Sequence, residues 1–207
     1  MPRITSIKPQ KDENRVNIYL DGKFGFGLDL ENFVKLHLKV EQELSQEEID
    51  EIVNKSEHQK ILNRLLNFIS VRPRSAYEIT VWLRRKKIPE DMQPALVSTI
   101  ERLGFINDSE FARWFIEQRL TFRPKGKSAL KYELLKKGVD RKIIDEVLER
   151  AEINEEGLAL QLLKKRESKW KRIDPEELKQ KMYEYLARSG FGWDVVKEAV
   201  DKFLKSV

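Results

Sequence analysis

The chain has 207 residues, of which 36% are charged and 40% hydrophobic, and its formal net charge is +5. This composition is typical of a folded, helix-rich protein and excludes an intrinsically disordered chain. The absence of cysteine excludes disulfides and cysteine-ligated metal sites, and two histidines leave almost no material for a histidine metal site or a catalytic triad.

The first 30 residues predict a small antiparallel sheet of three strands. The segments ITSIKPQ, RVNIYL and KFGFGL alternate apolar and polar side chains, as strands with one buried face do. Asp21-Gly22 separates the second and third segments, and this dipeptide favours a two-residue hairpin turn because both of its positions have positive φ.

Helical patterns follow the predicted sheet. A short helix is expected near DLENFVKL, and the next begins after Ser45, with Glu48 completing a capping box. This second helix could run to residue 70 or break near Lys55-Ser56.

From residue 57 onward the helical pattern repeats about every 50 residues. LRRKKIPEDMQPALVSTI (83–100) aligns with LLKKGVDRKIIDEVLERA (134–151) and with LARSGFGWDVVKEAVDKF (186–203), and the apolar positions coincide. A further helix precedes each copy, at 57–70, 109–120 and 155–170. The sequence therefore predicts three tandem three-helix repeats, which would stack into an elongated, curved solenoid.

Small features support this alignment and define the helix ends. Gly138 and Gly190 occupy the end of the second helix in two copies, as left-handed C-cap residues do. The first copy has Lys87 there, so we expect its turn to be less regular. In NDSE, either Asp108 or Ser109 is expected to cap the next helix.

The stretch RPKGKS (123–128) resembles the end of a phosphate-binding loop but does not fit one. The required early glycine is replaced by Thr121, and Pro124 removes a backbone donor. The same turn occurs one repeat earlier as RPRS (72–75), where Ser75 is a good N-cap, and Gly126 or Ser128 could serve likewise. We therefore interpret both stretches as a basic turn that opens the second helix, and we predict no bound cofactor.

Basic side chains concentrate in the middle of the chain. The net charge is −3 over residues 1–55, +8 over 56–137 and 0 over 138–207. Such a local excess indicates a polyanion or an acidic protein groove as partner, although scattered lysines are more often a solvated helix surface. The candidate contact residues are Arg72, Arg74, Arg84, Arg85, Lys86, Lys87, Arg123, Lys125, Lys127, Lys131, Lys136 and Lys137.

The aromatic residues predict packing and not chemistry. Phe111 and Phe115 share one helix face and are expected in the core, and Trp82 and Trp193 are also interpreted as packing residues. No nucleophile, base and orienting group can be assembled from neighbouring motifs, so we predict no catalytic and no metal-binding residues and no enzyme.

Three segments in this order resemble the RecX family, bacterial regulators of the RecA recombinase. They are RPRSAYEITVWLRRKKIPED, LGFINDSEFARWFIEQRL and KGKSALKYELLKKGVDRKIIDEVLE. The resemblance covers residues 56–205, and it is looser in the third repeat, where acidic IDPEEL replaces the basic turn. Some members of the family also carry a β-containing N-terminal extension.

The resemblance implies a mainly α fold of tandem three-helix repeats with a small antiparallel β-containing N-terminal domain. The expected domains are 1–53 with the sheet and a connecting helix, then repeats at 54–106, 107–153 and 154–207. It implies a non-enzymatic protein that binds the RecA–DNA filament along its groove and modulates its recombinase, ATPase and co-protease activities, with inhibition as the expected direction.

The expected partners are thus the RecA filament and, weakly, single-stranded or duplex DNA, in DNA repair, recombination and the SOS response. We expect a monomer. We also expect it to be cytoplasmic, because no apolar run approaches a membrane span and the N-terminus is no signal peptide. Two alternatives stay open: a helix-turn-helix DNA-binding protein, or a helical scaffold for another protein.

Overall fold

The computed structural model describes residues 1–11 and 14–205, and within these ranges it has three strands and eleven helices. The elements are β1 (Ile4–Pro9), β2 (Arg15–Leu20), β3 (Lys23–Asp29), α1 (Leu30–Leu36), α2 (Gln46–Ser70), α3 (Ala76–Arg85), α4 (Gln93–Arg102), α5 (Asp108–Phe122), α6 (Lys127–Lys136), α7 (Arg141–Arg150), α8 (Glu155–Lys164), α9 (Glu167–Trp170), α10 (Pro175–Arg188) and α11 (Trp193–Lys205). The mainly α fold with a small antiparallel sheet is confirmed.

The chain divides into two compact units, Met1–Val71 with Glu90–Ser98, and Arg72–Pro89 with Thr99–Val207. The helices of the first predicted repeat, α2 to α4, are therefore distributed over both units. The division into four domains stays a prediction, and the last two residues of the predicted third repeat lie outside the described ranges.

The first unit contains the sheet, in which β2 pairs antiparallel with both β1 and β3. Asp21 and Gly22 have φ angles of 47° and 81°, so the predicted hairpin turn is confirmed. The sheet packs on α2, and Ile18, Leu28 and Ile52 lie in their shared core.

Helix α2 begins at the predicted capping box and continues without a break. The Glu48 backbone N–H donates to Ser45 Oγ at 3.2 Å, and the Ser45 N–H donates to Glu48 Oε2 at 2.7 Å. The alternative of a break near Lys55-Ser56 is wrong. Ser56 is buried, and its hydroxyl donates to the Gly27 carbonyl at 3.3 Å, so a polar side chain in mid-helix is satisfied.

The second unit contains two hydrophobic cores, each belonging to one predicted repeat. Helices α5, α6 and α7 form one core, and α8, α9, α10 and α11 form the other. Phe111 and Phe115 lie in the first core, as predicted. The prediction for Trp193 is wrong, because this side chain is 64% exposed, although its ring lies 5.2 Å from that of Tyr183.

The second helix of each repeat ends in the same turn. In each turn the N–H of the residue after the left-handed position donates back to the carbonyl of a buried leucine five residues earlier, as in a Schellman motif. The three bonds are Ile88 to Leu83 at 3.1 Å, Val139 to Leu134 at 3.2 Å and Phe191 to Leu186 at 3.3 Å. The predicted alignment of the repeats is therefore reproduced at the level of single hydrogen bonds.

The turn of the first repeat is as regular as the other two, contrary to expectation. Lys87 has φ of 54°, close to the 74° of Gly138 and the 87° of Gly190. A side chain in this region costs about 1–2 kcal/mol. The first repeat therefore keeps the turn geometry by accepting backbone strain at a lysine.

Each basic turn lies at the C-terminal end of the second helix of the following repeat. Ser75 Oγ donates to the Lys137 carbonyl at 2.6 Å. At the equivalent position the Gly126 N–H donates to the Ser189 carbonyl at 3.0 Å. Helices α3, α6 and α10 thus follow one another head to tail, so N-terminal groups of one helix satisfy terminal carbonyls of the next. Helix α10 is the last of the series, and its own N-terminus carries the acidic IDPEEL.

The cap of α5 differs from the prediction. Asn107, and not Asp108 or Ser109, is the N-cap, and its side chain accepts from the Glu110 N–H at 3.0 Å. Asp108 instead accepts from the Ala76 N–H at 2.9 Å. A carboxylate of the second repeat thereby caps the first turn of α3, where negative charge is favourable.

Candidate functional site

The candidate basic residues form two groups. Members of the first group contact other side chains of the protein, and members of the second group lie at the surface without a carboxylate partner among the described residues. Arg72 belongs to the first group, because its guanidinium donates to the Glu78 carboxylate through both terminal nitrogens, Nη1 at 2.8 Å and Nη2 at 3.0 Å. Lys137 reaches the same carboxylate at 2.7 Å from the following repeat. Arg72 also lies over the Trp114 ring at 5.2 Å.

The Glu78 carboxylate is only 12% exposed and ties two repeats together. Its burial by itself raises the pKa of the Glu78 carboxyl, but the hydrogen bonds and charges of Arg72 and Lys137 outweigh burial and hold that pKa below its ordinary value. Arg72 and Lys137 therefore stabilise the junction between repeats.

This ion-pair network predicts a pH-dependent contribution to stability. A carboxyl whose folded pKa is lowered stabilises the protein fully above its unfolded pKa, about 4.3, and loses that contribution as pH falls through the folded pKa. We expect Glu78→Gln to lower the free energy of unfolding by about 1–3 kcal/mol at neutral pH, and by much less near pH 3.

Urea denaturation at the two pH values measures this difference, with Glu149→Gln as the exposed control. A loss for Glu78→Gln that stays equal at both pH values would contradict the role of the carboxylate charge.

Three more candidates have neighbours within the protein. Lys131 of α6 pairs with Asp145 of α7, and the Lys136 ammonium lies 4.5 Å from the Tyr132 ring centre. Arg74 is half-buried, and burial, followed by the positive charge of Arg72, lowers the pKa of its guanidinium.

The remaining candidates lie at the surface of the protein. Arg84, Arg85, Lys86 and Lys87 are all exposed at the C-terminal end of α3. Within the described residues none of these four has a carboxylate within ion-pair distance. Consecutive helical residues are about 100° apart, so Arg84 and Arg85 project from different sides of α3, and Lys86 and Lys87 belong to the turn that follows it.

A second basic group surrounds the turn of the second repeat, where Arg123 is exposed and Lys125 is half-buried. Arg123 and Lys125 line a depression of about 460 Å³ together with three basic residues of the third repeat, Lys165, Arg166 and Lys169. Lys127, the other candidate of this turn, is exposed, and its backbone N–H donates to Glu155 at 2.8 Å.

Lys165, Arg166 and Lys169 are not among the residues predicted from the sequence. Residues 138–207 together have no net charge, and this average hid a local run of cations. The segment KKRESKWKR (164–172) contains six basic residues and one acidic residue, and this density is the signal that a shorter window would have found.

The described part of the chain shows no arrangement suited to metal chemistry. Within residues 1–11 and 14–205 no group of three or more His, Asp or Glu side chains is placed to hold a metal ion.

Comparisons with known proteins agree with this architecture. Three family models match the chain: the regulatory protein RecX N-terminal domain at residues 2–45, the RecX second three-helix domain at 107–148 and the RecX third three-helix domain at 154–200. The regulatory protein RecX of Bacillus subtilis strain 168 is 36% identical over 207 residues, which is 98% of this chain and 77% of the relative.

The chain belongs to the RecX family. Solved RecX structures share its fold. A crystal structure of regulatory protein RecX has a TM-score of 0.72 and 24% identity, with 97% of this chain and all of the other covered. RecX from Lactobacillus salivarius has a TM-score of 0.61 and 22% identity, with 70% of this chain and 96% of the other covered.

The RecX assignment confirms the resemblance seen in the sequence, and it extends to the N-terminal residues that the three quoted segments did not include. The family models for the second and third three-helix domains match the two parts of the chain that form the two cores of the second unit. No helix among the described residues is both long and apolar enough to cross a bilayer.

Proposed function

We propose that this protein is a non-enzymatic regulator of RecA that binds the RecA–DNA filament along its groove and lowers its recombinase, ATPase and co-protease activities. RecX family membership supports RecA as the partner. The observation that carries the proposal beyond the family is the separation of the basic residues into internal ion pairs and exposed cations without a carboxylate partner among the described residues.

The exposed cations fit a filament better than a sequence-specific DNA site. They belong to two places, the end of α3 and the turn of the second repeat with α8 and α9, and not to one recognition helix that enters a groove. Contacts from separate repeats suit a long polyanionic or acidic surface, because each repeat adds a weak contact of the same kind. The protein would act in the cytoplasm as a monomer, in DNA repair, recombination and the SOS response.

RecA's DNA-dependent ATPase tests this function. We expect the protein to lower the ATPase rate of RecA on single-stranded DNA, and to do so less as salt rises, because exposed ionic contacts are screened. An unchanged ATPase and no filament binding at moderate salt would contradict the proposal. A preference for one duplex sequence in the same titrations would favour a helix-turn-helix reader instead.

A further inference from the structure

The depression beside the turn of the second repeat has the properties of an anion site. Of its ten lining residues five are basic and none is acidic. We name it the 123–169 pocket, after Arg123, Lys125, Lys165, Arg166 and Lys169. Five like charges around one depression repel one another, and a bound anion would relieve this repulsion.

Among the described residues, the cations of the pocket form no ion pairs. Within residues 1–11 and 14–205 none of the five has a carboxylate at ion-pair distance, whereas neighbouring Lys171 pairs with Glu167 at 2.7 Å. Arg166 is held in place because its guanidinium lies 4.2 Å from the Tyr185 ring centre. A guanidinium fixed on a ring keeps its N–H donors available for a planar or tetrahedral anion.

One feature of the pocket disfavours a bound anion, and backbone hydrogen bonds reduce its effect. Helix α10 ends there, and the C-terminal end of a helix is negative. Two of the last carbonyls, of Ser189 and Gly190, accept backbone N–H groups from Gly126 and Ser128, at 3.0 and 3.3 Å. Because these carbonyl groups are already paired, five full positive charges outweigh what is left of the helix dipole.

An aromatic side chain at the rim indicates which class of anion would fit the pocket. Phe122 lines the pocket and is 68% exposed, which is unusual for a side chain that gains from burial. A cationic groove with an exposed aromatic ring is the arrangement that binds single-stranded nucleic acid, because phosphates meet the cations and an unstacked base lies on the ring. The bases of a duplex are already paired and stacked, so none can lie on the Phe122 ring, and an acidic peptide has no base to stack there.

We propose that the 123–169 pocket binds the phosphate backbone of single-stranded nucleic acid, with one base stacked on Phe122. The assignment rests on the proposed function, since a protein that works on a RecA–DNA filament acts where a single strand is held. It goes further in naming the pocket, the form of nucleic acid and the residues of the third repeat that contribute.

Binding of labelled oligo(dT) of about 16 nucleotides to the full chain, followed by fluorescence anisotropy without RecA, tests the pocket alone. We expect Lys165→Glu with Lys169→Glu to weaken binding at least tenfold, about the effect of two lost charged contacts. The slope of log affinity against log salt should fall in magnitude by about 1.4, because each lost phosphate contact removes about 0.7.

The matched control carries the same charge change outside the pocket. Lys164→Glu with Arg172→Glu alters two exposed residues of the same segment, and we expect less than a threefold loss. Equal losses in the two double variants would overturn the pocket as the site, and so would tighter binding of a duplex or of a polyglutamate peptide to the unaltered protein.

Phe122→Ala tests the stacked base separately. We expect a loss of about fivefold for oligo(dT), the lower end for one stacked base, and no loss for an abasic strand of equal length. The same loss on both strands would overturn the stacking role. Because RecA is absent from these assays, a protein that binds oligo(dT) through the pocket but leaves the RecA ATPase unchanged would support the pocket and refute only the proposed function.

Discussion

Gly138→Ala is expected to lower the free energy of unfolding of the second unit by about 2–5 kcal/mol. The residue has φ of 74°, where a side chain costs about 1–2 kcal/mol. A Cβ at this position would also lie 2.3 Å from Tyr77 Cβ and 2.6 Å from Tyr77 Cγ. Overpacking of this kind costs about 1–3 kcal/mol more, because the backbone or the ring must shift.

Thermal and urea denaturation followed by helix content measure the effect, which corresponds to a fall in Tm of roughly 5–15 °C for a chain of this size. Gly104→Ala is the matched control, since Gly104 has φ of 78° and nothing within 4 Å of an added Cβ. We expect it to cost only about 1–2 kcal/mol.

Lys87→Gly gives the opposite sign at the equivalent position of the first repeat. Glycine removes the left-handed strain of Lys87, so the protein should become more stable by up to about 1 kcal/mol.

Equal losses for Gly138→Ala and Gly104→Ala would contradict the close approach of the Gly138 turn to the Tyr77 helix.

The second large effect concerns binding to the filament. Replacing Arg84, Arg85 and Lys86 together by glutamine is expected to weaken binding to RecA–DNA filaments by about 10- to 100-fold, if each cation contributes about 0.5–1 kcal/mol. Glutamine is a good helix former, so α3 should keep its structure and its Schellman turn.

Filament binding at moderate salt, measured with the same helix content in both proteins, provides the readout. The control replaces Lys23, Lys39 and Lys142 by glutamine, three exposed lysines from separate parts of the chain, with the same change in net charge. A triple variant at 84–86 that binds no worse than this control would return the end of α3 to an ordinary solvated surface.

Local signals in the sequence predicted much of the fold, because the groups that decide it are close in the chain. The Asp21-Gly22 turn and the Ser45–Glu48 capping box each depend on residues at most three positions apart. The repeat alignment succeeded for the same reason, since the buried leucines and the left-handed positions recur at fixed spacing.

Features that depend on contacts between repeats could not be read from the chain. Asp108 caps α3 and not its own helix, over a separation of 32 residues. The Glu78 carboxylate binds Arg72 and also Lys137, which lies 59 residues further along the chain than Glu78. These two candidate contact residues are therefore part of the junction between repeats. Lys87 was misjudged because glycine is the usual residue with positive φ, and the hydrogen bonds of the turn outweigh the strain here.

The candidate site was predicted only in part, and the reason differs from the one given for the contacts between repeats. Arg123 and Lys125 were identified by their repeat position, but the pocket that contains them is completed by Lys165, Arg166 and Lys169, which averaged charge concealed. A basic surface formed by residues of two repeats can be identified only from the folded structure of the second unit.

The most direct test of the central claim is binding of the unaltered protein to three targets at one moderate salt concentration: RecA–single-stranded DNA filaments, RecA alone and bare single-stranded DNA. Fluorescence anisotropy of the labelled protein gives the three dissociation constants under matched conditions. A groove-binding regulator predicts that the filament is bound at least tenfold more tightly than either component, because only the filament offers contacts to several repeats at once. Binding to the filament no tighter than to bare DNA would contradict this account.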